Sequence, residues 1–158
     1  MNLELDILTK FNDQWALLTA GDESSFNTMT ISWGGMGTLW NKPVVTTYVR
    51  KSRYTHDFME DNDYFTVSFY PEEYKSVLGV LGSKSGRDMD KMKDSGLTAE
   101  VLDKGVTFKE AELTLVCKKL HKQLLDPDAM PQEAKDAFYG DGDWHDMYIG
   151  EIVEIIRG

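Results

Sequence analysis

Two short segments hold residue types that together can do chemistry. From Asn27 to Trp33 the chain reads Asn-Thr-Met-Thr-Ile-Ser-Trp, with Gly34 next. The hydroxyls of Thr28, Thr30 and Ser32 alternate with Met29, Ile31 and Trp33, so a strand here presents hydrogen-bonding groups on one face and bulk on the other. One strand further on, Arg50-Lys51-Ser52-Arg53-Tyr54-Thr55 sets three cations within four residues of a chain whose formal net charge is −10. Ser52 and Thr55 are good N-cap types for a short helix through His56, Asp57, Phe58 and Met59. Charged forks, hydroxyls and a helix start make a competent phosphate site. Taken singly, the first segment is an ordinary half-buried strand and the second a solvated turn. In succession they suit a planar ring and its phosphate tail.

The elements that must position these residues are mostly short strands. Trp15 to Ala20, Asn27 to Trp33, Val44 to Val49 and Tyr64 to Phe69 read as the first four, punctuated by Gly21-Asp22-Glu23 and Asp61-Asn62-Asp63. The period then changes. Pro71 opens a helical pattern in which Tyr74, Val77, Leu78 and Leu81 share a face, and Gly82 is its expected stop. A further helix is expected over Asp88 to Lys93. Glu112 to Leu120 and Tyr148 to Ile156 read as strong strands, with Asp126 to Gly142 a loop or short-helix excursion between them. Strands with scattered helices and no strand–helix alternation predict a mainly β fold, a β-barrel with a few helices.

Composition bounds the function classes. A chain of 158 residues fits one domain, here 1–158, and removes roughly two thirds of its unfolded surface from water. The acidic balance argues against general nucleic-acid binding, which leans on a basic footprint. The Lys118, Lys119, Lys122 cluster and the Lys91, Lys93 pair lack interleaved aromatics and read as solvated faces. Met1 to Lys10 mixes charges with apolar residues and no apolar run approaches spanning length, so no membrane role and a cytoplasmic location are expected. Cys117 is the lone cysteine, which excludes an intrachain disulfide and suits a strand residue.

Several motifs fail on inspection. Gly35-Met36-Gly37 starts like a dinucleotide fingerprint, but Trp40 stands where the third Gly belongs and no helical pattern follows, so the segment is assigned to a turn or strand connection. In Gly82-Ser83-Lys84-Ser85 the Lys does not directly follow the Gly, and Val77 rather than a Gly stands five places before Gly82, where a Walker loop needs one. His56, His121 and His145 are far apart and no Cys pair exists, so no metal site is expected. Asp141 to Asp146 lacks the third acidic ligand, the Gly at the sixth place and the closing Glu of a calcium loop. No local signature marks a Ser or Cys nucleophile. His145, flanked by Trp144, is the one candidate for a catalytic role; a histidine that fixes the loop before the last strand is the alternative.

The segments Asn27 to Gly34 and Arg50 to Thr55 resemble those of the flavin reductase-like proteins of the FMN-binding split-barrel fold, which include the flavoredoxins. Leu81-Gly82-Ser83-Lys84-Ser85-Gly86-Arg87-Asp88-Met89-Asp90-Lys91 and His145-Asp146-Met147-Tyr148-Ile149-Gly150-Glu151-Ile152 extend the resemblance over nearly the whole chain. It implies an FMN cofactor that carries the redox chemistry while the protein binds and tunes it. Met29, Thr30, Ile31, Ser32 and Trp33 would lie along the isoalloxazine ring. Arg50, Lys51, Ser52, Tyr54 and Thr55 would hold the phosphate, with Arg53 a second choice because an acidic neighbour can engage it. Ser83, Lys84, Ser85 and Gly86 resemble the loop that closes over the cofactor. The resemblance further implies a homodimer with FMN near the interface. Two activities follow from it: electron transfer from NAD(P)H through FMN to flavin or another acceptor, or a flavoredoxin-like carrier reduced by a protein partner. Pyridoxal phosphate oxidases and haem-binding proteins use related folds, and none of the three His stands in an axial-ligand motif.

Overall fold

The computed structural model describes residues 1–87 and 90–158, with the backbone alone at 91. In chain order the strands are Ala16–Gly21 (β1), Phe26–Ile31 (β2), Gly34–Leu39 (β3), Lys42–Arg50 (β4), Tyr64–Phe69 (β5), Ala99–Leu102 (β6), Gly105–Phe108 (β7), Leu113–Leu124 (β8) and His145–Arg157 (β9). The α-helices are Tyr54–Asp61 (α1), Lys75–Ser83 (α2), Lys91–Ser95 (α3) and Gln132–Phe138 (α4). The architecture is mixed α/β with a dominant sheet, richer in helix than the strand pattern suggested.

Seven strands form one sheet in the order β2-β1-β5-β8-β9-β4-β3, and each neighbouring pair is antiparallel. β6 and β7 make a separate hairpin. The edge strands β2 and β3 are consecutive in the chain, separated by Ser32 and Trp33 alone. A flat seven-stranded sheet would hold its edges roughly 29 Å apart at about 4.8 Å per strand. The three peptide steps from Ile31 to Gly34 reach at most about 11 Å. The sheet therefore curls until these strand ends adjoin, helped by register shifts in β8 at Val116/Cys117 and Lys119/His121 that bend the strand.

Curling gives the sheet an inner and an outer face, and β1 shows both. Leu18 packs inward with Val45, Val49, Phe65, Leu115 and Tyr148. Its neighbour Leu17 packs outward with Tyr70, Leu78, Leu81 and Phe108. Each such side chain contributes about 1.5–3 kcal/mol by leaving water. Cys117 is fully buried in β8, and burial pushes its thiol far up, so it is an inert core residue.

Tyr64–Phe69 forms as expected, and the other anticipated strands form with shifted ends. Three features differ from the sequence reading. Gly35 to Leu39 belongs to a strand, β3, joined to β4 by the two-residue turn Trp40-Asn41 with φ of 51° and 59°; both residues sit left-handed, as the tight turn that matches strand twist requires. The hairpin β6–β7 was not anticipated. The helix expected from Pro71 begins as a short turn at Glu72–Tyr74 and continues as α2 past Gly82 to Ser83. The helix expected over Asp88 to Lys93 lies partly outside the described residues; the described part is α3. No described helix is long and apolar enough to cross a membrane.

Candidate functional site

The joint between β2 and β3 opens a cleft of about 200 Å³ lined by Met29, Thr30, Ile31, Ser32, Trp33, Tyr48, Arg50, Arg53 and His145. Register explains the meeting: Arg50 at the end of β4 pairs with His145 at the start of β9. Met29 and Ile31 anchor the cleft floor in the core. Trp33 does not continue their buried stripe, because β2 ends at Ile31; it stands 42% exposed at the mouth, edge-on to Phe138 at 5.1 Å and tilted over His145 at 5.4 Å. The Thr30 hydroxyl donates to the Leu78 carbonyl of α2, and the Thr28 hydroxyl meets that of Thr19 at 2.9 Å. The hydroxyl face of β2 is thus partly spent on holding β1 and α2.

The residues of the cationic turn already have partners within the chain. Arg50 donates through Nη1 to the Asp143 carbonyl at 2.7 Å and through Nη2 to the Phe138 carbonyl at 2.9 Å, with its guanidinium 5.0 Å from the Tyr139 ring. Its fork therefore pins the connection from α4 to β9. Arg53 donates through Nη1 to the Gly82 carbonyl at 3.0 Å, while its buried Nη2 has no partner among the described residues. Burial pulls the Arg53 guanidinium down from its ordinary value and the Asp143 charge opposes that shift. An orphaned guanidinium nitrogen is costly unless a ligand completes it, which makes Arg53, the second-choice residue, the better-placed cation.

Ser52 gives both its donors to one carboxylate. Its backbone N–H reaches Asp143 Oδ1 at 3.2 Å, and its hydroxyl donates to Asp143 Oδ2. Neither Ser52 nor Thr55 caps α1; the cap position is Arg53, with no side-chain bond. Thr55 is buried and accepts from Asn27 Nδ2 at 2.8 Å. Lys51 is exposed and lies 3.9 Å from Asp146.

A second hollow of about 360 Å³ lies at the start of β2, lined in part by Asn27, Thr28, Tyr54, Phe58 and Gly86. Gly86 is there for space rather than for an unusual φ: an added Cβ would stand 2.2 Å from Asn27 Oδ1 and 3.0 Å from Tyr54 Cδ2. The loop around it is tied to the cationic turn by Arg87, which donates to the Ser52 carbonyl at 2.9 Å, pairs with Asp57 at 3.0 Å and lies 4.8 Å from the Tyr54 ring. Ser83 donates to the Val80 carbonyl and Ser85 accepts from the Arg87 N–H. Lys84 is exposed and lines neither hollow. Asp88 and Met89 of the same motif lie outside the described residues.

His145 is in β9 itself, not in a loop before it, and is 6% exposed. Its Nδ1 lies 2.6 Å from the Tyr139 hydroxyl. Burial first, then the Arg50 charge, lower its pKa from 6.5 to about 4, so the ring is neutral at pH 7. Next to it in the chain, Asp146 joins a network: His56 Nε2 is 2.7 Å from Asp146 Oδ2 and 3.5 Å from Glu60 Oε1. Lys122 Nζ is 2.5 Å from Glu60 and 3.7 Å from Asp146, and the Tyr148 hydroxyl donates to Glu60 at 2.7 Å. Lys122 and Lys51 neutralise the two carboxylates, so the cluster reads as a lattice joining α1 to β8 and β9.

Sequence reasoning missed Tyr48, Tyr139 and Asp143. Tyr48 is one alternation from Arg50 on β4, a signal present once that strand is extended to Arg50. Asp143 carries no local signal, since its partner Ser52 is 91 residues away.

The chain matches the family described as the flavin reductase like domain over residues 8–157. Among solved structures it is similar to the FMN-binding protein from Thermus thermophilus with bound p-hydroxybenzaldehyde, at 20% identity and TM-score 0.71 over 91% of this chain and 71% of that one. It is also similar to flavoredoxin from Methanosarcina acetivorans, at 20% identity and TM-score 0.70 over 100% and 76% of the two chains. For flavoredoxin of Desulfovibrio vulgaris (Miyazaki F) the values are 21%, 0.71, 91% and 69%. No curated protein matches the sequence. At these identities the structures share the fold, while the family match spans nearly the full chain: this protein belongs to the flavin reductase-like domain family.

Proposed function

We propose that the chain is a single FMN-binding domain over residues 1–158, its curled sheet closed as a split barrel, and that it transfers electrons from NAD(P)H through FMN to flavin or another acceptor. The observation that carries this reading is the convergence of Met29–Trp33 with the arginine pair on one cleft, where Arg53 Nη2 is buried without a partner among the described residues. That donor set fits a planar ring with an anionic tail. When bound, FMN supplies the redox chemistry by accepting a hydride or single electrons.

The chain's own residues bind, orient and tune. Met29, Ile31 and Tyr48 shape an apolar bed, and the backbone from Thr30 to Trp33 offers polar groups to a ring edge. Trp33 and Phe138 screen the mouth from water. Arg53 takes the phosphate, with Ser52, Lys51 and Thr55 beside it and Arg50 holding the wall opposite. His145 stands neutral at the cleft near pH 7, so positive charge comes from the arginines. A further groove of about 640 Å³, lined by Trp33, Leu124, Met130, Ala134, Phe138 and neighbours, leaves apolar surface exposed beside the site. Exposed apolar surface of this kind marks an interaction face, and we read it as supporting a homodimer with FMN near the interface.

The experiment is an absorbance spectrum of the FMN-loaded protein before and after anaerobic NADH, then NADPH. Rapid bleaching by either supports the reductase reading. Bound FMN that bleaches only with dithionite contradicts it and favours a flavoredoxin-like carrier.

A further inference from the structure

We propose that Asp143 is a specificity-determining residue: an internal anion that occupies the Ser52 donor pair and that a ligand's phosphate must displace. The inference rests on the FMN reading above and names what limits the site's preference for phosphorylated over unphosphorylated flavin.

A backbone N–H and a hydroxyl on one residue, beside a buried guanidinium, are an anion's partners. In this structure the anion is the chain's own carboxylate: Asp143 Oδ1 accepts from the Ser52 N–H at 3.2 Å, and Oδ2 accepts from the Ser52 hydroxyl. Asp143 also supplies the charge that opposes the desolvation of Arg53. Its backbone carbonyl takes the Arg50 Nη1 at 2.7 Å. One residue therefore engages Ser52 and Arg50 directly and Arg53 through its field.

A phosphate arriving at Ser52 meets a resident carboxylate bonded to the donors it needs, and two anions do not share one donor pair without a proton between them. Asp143 must swing out. It can do so without opening the core, because Asp141 and Gly142 before it are exposed and Gly142 already has φ of 72°. Phosphate binding thus pays the release of Asp143, whereas riboflavin, which lacks the phosphate, leaves Asp143 seated. The same residue that completes the empty turn lowers the selectivity for FMN.

The test is an equilibrium titration of wild type, Asp143→Asn and Asp143→Ala with FMN and with riboflavin, with inorganic phosphate as a competitor. Circular dichroism checks folding; Asp143→Asn keeps the side chain's shape and carries the test if Asp143→Ala does not fold. Removing a charge-assisted competitor is expected to tighten FMN by about tenfold. Riboflavin affinity is expected to stay the same, and phosphate to compete more strongly in the variants. FMN affinity unchanged or weakened, with wild type binding both flavins, overturns the inference and leaves the FMN reading standing. Equal tightening of both flavins also overturns it, placing Asp143's effect away from the phosphate. No saturable flavin binding by wild type or variants overturns both.

Discussion

Among single residues, Arg53 and His145 carry the clearest consequences of burial at the cleft. Arg53 has one guanidinium nitrogen bonded to Gly82 and one buried without a partner among the described residues. A charge-assisted bond to phosphate is worth about 1.5–3 kcal/mol, so Arg53→Gln is expected to weaken FMN at least tenfold and riboflavin far less. Unaltered FMN affinity in an equilibrium titration would remove Arg53 from the site. For His145 the folded-state pKa of about 4 lies below the ordinary 6.5. Below pH 6.5 the unfolded chain takes up a proton that the folded chain refuses, so this stability contribution is intact above 6.5 and is lost as pH falls to about 4. The loss reaches at most about 3 kcal/mol. His145→Asn should therefore show a flatter stability-against-pH curve than wild type between pH 7 and 4, measured by denaturant unfolding. Parallel curves would contradict the buried neutral ring. The sequence marked these positions by type, with cations in an acidic chain and a histidine beside a tryptophan. It gave no sign of which arginine was already committed, because Arg50's partners come from 88 and 93 residues away.

Among the elements, the connection from α4 to β9 is the part the sequence left least legible and the part on which the site most depends. Arg50 pins it at Phe138 and Asp143, and Lys51 adds a backbone bond to the Trp144 carbonyl at 3.2 Å. Arg50→Ala is expected to loosen residues 138–144, read as faster amide hydrogen exchange there, while β1 and β5 keep their protection. Unchanged exchange in that connection would show that the fork holds nothing. The loop bearing Gly86 is held by space: Gly86→Ala forces its Cβ into Asn27, at a cost of about 1–3 kcal/mol. A thermal melt indistinguishable from wild type would contradict that seat. Legibility followed local pattern. Tyr64–Phe69 alternates cleanly and was read end to end, whereas Gly34-Gly35-Met36-Gly37 has little strand propensity and becomes β3 through its pairing with β4. β9 begins three residues earlier than its apolar run because Arg50, Val49 and Tyr48 offer it partners.

For the whole molecule, covalent connection between edge strands is what brings the site together. Because two residues join β2 to β3, the curl of the sheet sets Trp33 against His145 and Phe138, whose positions in the chain are more than a hundred apart. The strand pattern conveyed a β-rich fold, but the strand order that makes the curl necessary is a tertiary fact with no local signature. The exposed rings of Trp33 and Phe138, with Leu124 in the adjoining groove, leave one apolar face uncovered. Light scattering in solution is expected to give twice the 18.0 kDa mass of the chain. A monomer at every concentration would leave that face to another partner.

If this cleft holds a flavin by its ring and its phosphate together, titrating the wild-type protein with FMN and with riboflavin, following flavin absorbance and fluorescence, will show it. Saturable binding of one FMN per chain, tighter than riboflavin, is expected; equal affinity for the two flavins, or no saturable binding of either, would contradict a site that grips both ring and phosphate.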